Sequence, residues 1–361
     1  MVADQPTGYS RWKDADPELT AVAKSDGTYS IAGVPAGTYT AYFDDSAWSG
    51  AVAPQYYGGT PNISLAKPFV VGSAATTTVS ATLARGASVS GKITDSSGKL
   101  VPDSAARVAL KLTVDGKTVW QWGAIPTDPT GTFSEKGLPA GTYAVGYAAD
   151  VGFADSYYGG GHSFDTATNF VLTAGSSKTG VNGVLLRLLT APTPTITGTR
   201  SVGSTLTAHA GAWTTGAALT YQWFANGVYI TGSTSTHPTL ALTGAQKGKQ
   251  ISVKVTGKKS GYAAASRTSA RTAKIALTAV PTITGIRTVG STLTAHPGTW
   301  TAGTVFTYRW YASGVAISGA TQPTVTLTSL QRGKTVKVVV TGSDPGYQTI
   351  SRASASTAAI G

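Results

Sequence analysis

The chain has 361 residues, 41% hydrophobic and only 12% charged, with 44 glycines; this balance excludes a highly charged disordered chain and favours folded β modules with Thr-, Ser- and Gly-rich surfaces. Cysteine is absent, which excludes disulfide staples, thiolate metal sites and a Cys nucleophile. The formal net charge of +12 is uneven: residues 1–190 carry 13 Lys and Arg against 15 Asp and Glu, whereas residues 191–361 carry 15 against Asp344 alone, nets of −2 and +14. No apolar run reaches the ~18 residues of a membrane span, and residues 1–20 are polar and charged, unlike an export signal.

Read in chain order, the first half holds one repeated pair. "DGTYSIAGVPAGTYTAYF" (26–43) returns as "TGTFSEKGLPAGTYAVGY" (130–147), "YYGG" at 56–59 returns at 157–160, and "FVV" (69–71) returns as "FVL" (170–172). The second copy opens with "ASVSGKITDSSGKLV" (87–101), which has no counterpart in the first. Residues 1–86 are therefore expected to form a sandwich lacking its first strand, with a sheet edge left open, and residues 87–190 a complete one. In the second half, "PTITGTRSVGSTLTAHAGAW" (194–213) returns ungapped as "PTITGIRTVGSTLTAHPGTW" (281–300), and "LTYQWFANGVYI" (219–230) as "FTYRWYASGVAI" (306–317). The spacing predicts modules at 191–277 and 278–361, joined by short Pro-containing linkers.

Segments such as "TYTAYF", "VSGKIT", "RVALKLTV", "ISVKVTG" and "TVKVVVTG" alternate faces or are β-branched, and turn signals recur between them. The expected fold class is all-β, four tandem β-sandwich modules. Alternation puts Leu219, Tyr221 and Trp223 on one strand face and Phe224 on the other. Asn226-Gly227 then marks a hairpin. Trp223 and Trp310, with Tyr221 and Tyr308, read as core plugs, which leaves Phe224 and Tyr311 facing away from the core.

The second pair resembles the immunoglobulin-like repeats of secreted and surface proteins in high-GC Gram-positive bacteria, through Pro-x-Ile-x-Gly, Val-Gly-x-x-Leu-Thr-Ala, Gly-x-Trp and Tyr-x-Trp. That resemblance implies spacer or adhesion modules. The first pair is similar to carboxypeptidase-regulatory-like modules, related to Cna protein B-type and starch-binding-like prealbumin sandwiches, through "GVPAGTY" (33–39), "GLPAGTY" (137–143) and "YYGG". This likeness implies glycan binding in some members and attachment to amylase-type enzymes. It also implies a possible covalent bond between Lys92 and Asn182 beside Glu135, although alternation turns Lys92 outward.

No catalytic residue, cofactor or metal site is assigned. Asp44, Asp45, Asp150 and Asp155 follow the Tyr/Phe strands, but a chain without helices cannot build an amylase-like barrel. His162, His209, His237 and His296 are scattered, and "DAD" (14–16) and "DD" (44–45) are incomplete calcium loops. The functional candidates are aromatic, because a sugar ring stacks on a Tyr or Trp face: Trp48, Tyr56, Tyr57, Trp120, Trp122, Tyr157 and Tyr158. Trp120 and Trp122 share one strand face with Thr118; outward they make a two-ring platform, inward they are core. In each Tyr pair one ring should pack and one should be exposed. The expected partner is a polysaccharide or cell-wall polymer, with residues 191–361 meeting an anionic surface. Nucleic acid is not an expected partner, for want of an aromatic-basic stripe on a known reader fold. The expected role is a non-catalytic, extracellular or cell-surface binding and adhesion protein; the alternatives are the accessory region of an alpha-amylase-type hydrolase and a purely structural stalk.

Overall fold

A computed structural model describes residues 19–45, 49–101, 103–232 and 237–361. The protein is all-β, a string of β-sandwich modules, and divides near Leu188 into two compact units.

In the N-terminal unit two sheets enclose one core. A five-stranded sheet runs Ser156–Tyr157, Gly141–Ala149, Ser104–Val114, Lys117–Pro126, with Phe170–Leu172 also on Gly141–Ala149. The facing sheet is built on Ala87–Asp95, which pairs with Thr132–Leu138 and Gly183–Leu188. The two-residue period of an extended chain sorts these strands. Val89 and Ile93, Val108 and Leu110, and Tyr143, Val145 and Tyr147 all turn inward onto Phe133 and Leu185. The Tyr147 hydroxyl donates to the Val181 carbonyl (3.0 Å), and burial pushes its pKa up.

Residues 19–86 form two short antiparallel ladders. Gly37–Tyr39 pairs with Phe69–Val71, and Tyr42–Phe43 with Gln55–Tyr56. Among the described residues of this segment Ala53 and Tyr56 are the buried hydrophobic ones, because strands of two or three residues supply too few inward side chains for a core. The ladders nonetheless copy part of the second module closely. Tyr39 lies 6.4 Å from Phe69 as Tyr143 lies 6.3 Å from Phe170, and the Tyr39 and Tyr143 hydroxyls donate to the carbonyls of Pro35 and Pro139. The segment leans on its neighbour: Asn62 Nδ2 donates to Gln121 Oε1 (3.0 Å), and Gln121 Nε2 to the Pro61 carbonyl (3.3 Å).

In the C-terminal unit each module pairs a three-stranded with a four-stranded sheet. Trp223 and Trp310 are 0% exposed at the two cores. Tyr221 is buried beside the first, and Tyr308 packs partly buried against the second. The Trp of the Gly-x-Trp motif has its own seat: a Cβ on Gly257 would lie 2.4 Å from Trp213, and one on Gly342 2.6 Å from Trp300. The boundary between the last two modules is tied by hydrogen bonds. Arg352 Nη2 donates to Thr278 Oγ1 (3.0 Å) and Ser201 Oγ (3.3 Å), and the Arg200 amide donates to Gln348 Oε1 (2.9 Å).

Two stability measurements follow. Trp310→Ala should destabilise the C-terminal unit by about 3–5 kcal/mol, read as an earlier denaturant transition. Asp95 closes its turn by accepting from Ser97 Oγ (2.6 Å), the Ser97 amide (2.9 Å), the Lys99 amide (3.1 Å) and Arg187 (3.4 Å). These bonds, the Ser97 hydroxyl first, hold its pKa down at about 2 from 3.8 against the opposing push of desolvation. A lowered folded-state pKa stabilises fully above the unfolded value, so this contribution should be complete above roughly pH 5 and fade toward about pH 2. In Asp95→Asn, unfolding followed across that range should lose this component of its pH dependence.

Candidate functional site

The outer face of the five-stranded sheet is set by the strand that feeds the core. Because Ala106, Val108 and Leu110 turn inward, Arg107, Ala109 and Lys111 turn outward. Pairing register places Trp122 opposite Ala109 and Trp120 opposite Lys111, so both indoles face out. On the other side Arg107 is opposite Gly146, and Gly146 is opposite Tyr157. Ala109 and Ala144 lie on this outer face yet are 0% exposed, because larger side chains roof them.

Part of that roof is Phe164, carried by the loop after "YYGG". Its ring lies 5.3 Å from Tyr157 edge-on, 5.8 Å from Trp120 and 6.4 Å from Trp122. Gly146 makes room, since a Cβ there would lie 3.1 Å from Tyr157 and 3.4 Å from Phe164. Thr166 Oγ1 staples the loop by accepting from the amides of His162 (2.9 Å) and Ser163 (3.0 Å).

Polar groups frame the rings. Trp120 Nε1 donates to Asp165 Oδ1 (2.7 Å), and Arg107 pairs with Asp155 (2.6 Å). The Arg107 guanidinium lies 5.6 Å from the Trp122 ring, and Lys111 Nζ 5.8 Å from Trp120. Trp122 remains 42% exposed. An apolar ring edged by donors and acceptors is suited to stack a flat ligand ring and to orient its hydroxyls.

The other aromatic candidates fare differently. Tyr158 turns to the core side and meets Phe170 edge-on at 6.0 Å, so it is corrected from the ligand set to packing. Tyr57 repeats that contact with Phe69 at 5.7 Å. Tyr56 is also corrected: at 8% exposure its ring is covered, 4.8 Å from Tyr42, which occupies the position of Gly146 in the repeat. Trp48 and the "DAD" motif lie outside the described residues. Phe164 and Asp165 carry no motif; the signal for them is a difference between repeats, since "TPNISLAKP" (60–68) has no aromatic residue in the corresponding loop.

The carboxylates are dispersed. Asp155 and Asp165 serve Arg107 and Trp120, while Asp103, Asp128 and Asp150 line an open cleft of about 600 Å³ with Leu100, Val101 and Pro126 among its other walls. Asp128 there already accepts from Thr130 and Thr132. Among the described residues no group of three His, Cys, Asp or Glu is placed to hold a metal ion. His209 and His296 each bond a threonine across their own sheet, Thr197 and Thr284, both at 2.8 Å. Lys92 is exposed, and Asn182 Oδ1 accepts from its backbone amide (3.0 Å). The intact mass should therefore equal that of the unmodified sequence; a loss of one ammonia would instead establish a Lys92–Asn182 bond.

No family model matches the chain, and no curated protein matches it. Among solved structures it is similar to a Bacteroides uniformis protein described provisionally as carbohydrate binding, at 17% identity and TM-score 0.20, over 50% of this chain and 96% of that one. It is also similar to the FN1–FN3 domains of chicken CNTN1, at 15% and 0.25, over 71% and 96%, and to BcpA, the major pilin subunit of Bacillus cereus, at 9% and 0.22, over 74% and 92%. Similarities of this size say nothing about a ligand. Among the described residues no helix is long and apolar enough to cross a membrane.

Proposed function

We propose that this chain is a non-catalytic binding and adhesion protein of the cell exterior or cell surface. In this reading the module of residues 87–190 holds polysaccharide, and the basic C-terminal unit adds electrostatic adhesion. The first two modules are read as carboxypeptidase-regulatory-like and the last two as immunoglobulin-like repeats. The observation that carries the proposal is the half-open indole of Trp122, supported by Trp120, Phe164 and Tyr157 and framed by Arg107, Asp155 and Asp165. An indole held that way by its neighbours loses little freedom when a sugar ring covers it.

The electrostatic part rests on how charge is distributed. Residues 191–361 have 15 cationic side chains against Asp344. The ion pairs found among the described residues, Arg107–Asp155 and Arg187–Asp95, both belong to the N-terminal unit. A surface so one-sided attracts polyanions, and salt screens that attraction over about 8–10 Å.

The test is retention of the full chain on insoluble starch, cellulose, chitin and purified bacterial wall at low and high salt. Retention on one polysaccharide should resist salt, and Trp122→Ala should weaken it about tenfold, the equivalent of about 1.4 kcal/mol of lost stacking, with the far-ultraviolet circular dichroism unchanged. Equal retention of wild type and Trp122→Ala would remove the aromatic site. Absence of salt-resistant retention would leave the stalk reading.

A further inference from the structure

We infer that the outer face of the four-stranded sheet in the last module is a docking surface for a carboxylated polysaccharide. The inference rests on the electrostatic adhesion proposed above and gives it a place and a ligand class. Trp310, Val338 and Val340 are buried on the inner side of the strands Val305–Ala312 and Val336–Ser343. The alternate residues Arg309, Tyr311, Lys337, Val339 and Thr341 are thereby placed on the outer side.

Register brings the chemistry together. Tyr311 is directly opposite Lys337, with Lys337 Nζ 5.6 Å from its ring, and Arg309 is opposite Val339. Arg309 and Lys337 are then diagonal neighbours, about 7–8 Å apart on one face. No carboxylate stands among the outward residues of these strands; Asp344, the one acid of the C-terminal half, follows the strand Val336–Ser343. Two cationic side chains rooted as diagonal neighbours on one face favour an anion laid across them. Beside them runs a row of hydroxyls, Thr307 opposite Thr341 and Thr341 opposite Ser351, the latter two 2.7 Å apart at oxygen.

The face thus offers two cations, one phenol ring and a short hydroxyl ladder. A carboxylate bridging Arg309 and Lys337 with its sugar ring on Tyr311 would use all three, and the ladder suits sugar hydroxyls. Nucleic acid would ask for a longer basic stripe with more rings. The sister module pairs its side chains differently: the positions of Arg309, Tyr311, Lys337 and Val339 hold Gln222, Phe224, Ser252 and Lys254, while a phenol, Tyr229, stands on the strand opposite Phe224. The diagonal Arg–Lys pair beside a tyrosine is therefore particular to the last module, whereas the hydroxyl ladder belongs to the repeat, as Thr220, Thr256 and Ser266 show.

The experiment compares the full chain with its Arg309→Gln/Lys337→Gln and Tyr311→Leu variants for binding to soluble polygalacturonate. Poly-L-glutamate and duplex DNA serve as polyanions without the acidic sugar, and retention on neutral polysaccharide as the internal standard. The double variant should lose about tenfold in affinity for polygalacturonate, as expected from two exposed charge contacts, while its neutral retention matches wild type. Tyr311→Leu should weaken polygalacturonate but not poly-L-glutamate. An unchanged double variant would overturn this face and leave diffuse electrostatic adhesion standing. DNA bound as tightly as polygalacturonate, with the same sensitivity to the double variant, would overturn the ligand class. Failure to bind any of the three polyanions would overturn both this face and the electrostatic adhesion.

Discussion

Successive side chains of an extended strand point to opposite faces, so each strand here divides its residues between a core and a surface. Once Val108 and Leu110 are committed inward, Arg107, Ala109 and Lys111 have no choice but to face out. Burying Trp310, opposite Val338, in the core of the last module exports Arg309 and Tyr311 in the same way. The strand-borne side chains of both candidate surfaces are thus by-products of core packing.

What distinguishes the two surfaces is how their charges are partnered. On the N-terminal face Arg107 is matched by Asp155, and Asp165 is drawn into a hydrogen bond with Trp120. The rings dominate there, and the polar groups act as a frame. On the C-terminal face the cations have no acidic neighbour in their strands, so charge leads and the ring is secondary. Contacts made by rings are nearly indifferent to salt, and contacts made by unpaired charges are governed by it.

Much of this organisation is legible in the chain itself, because strand alternation and repeats are written in sequence. The inward setting of Trp223 and Trp310 follows from a period of two, and the outward setting of Trp120 and Trp122 needs in addition the knowledge of which face of the neighbouring strand feeds the core. Phe164 belongs to a loop, where no period operates, and its placement depends on Gly146 leaving space on another strand. The burial of Tyr56 depends likewise on Tyr42. Residues 19–86 carry the repeat motif but too little inward surface, a deficit of area that motif matching does not register. The bonds from Arg352 to Ser201 and Thr278 span residues far apart in sequence, beyond the reach of any local pattern.

Those last bonds bear on how the C-terminal unit meets its surroundings. Arg352 joins the two modules by donating to the hydroxyls of Ser201 and Thr278, and the Arg200 amide by donating to Gln348 Oε1; none of these acceptors titrates in the physiological range, and none is an ion that salt could screen. These bonds across the joint therefore depend on no ion pair. A seam closed on neutral acceptors keeps its bonds in salt that would weaken a charge pair.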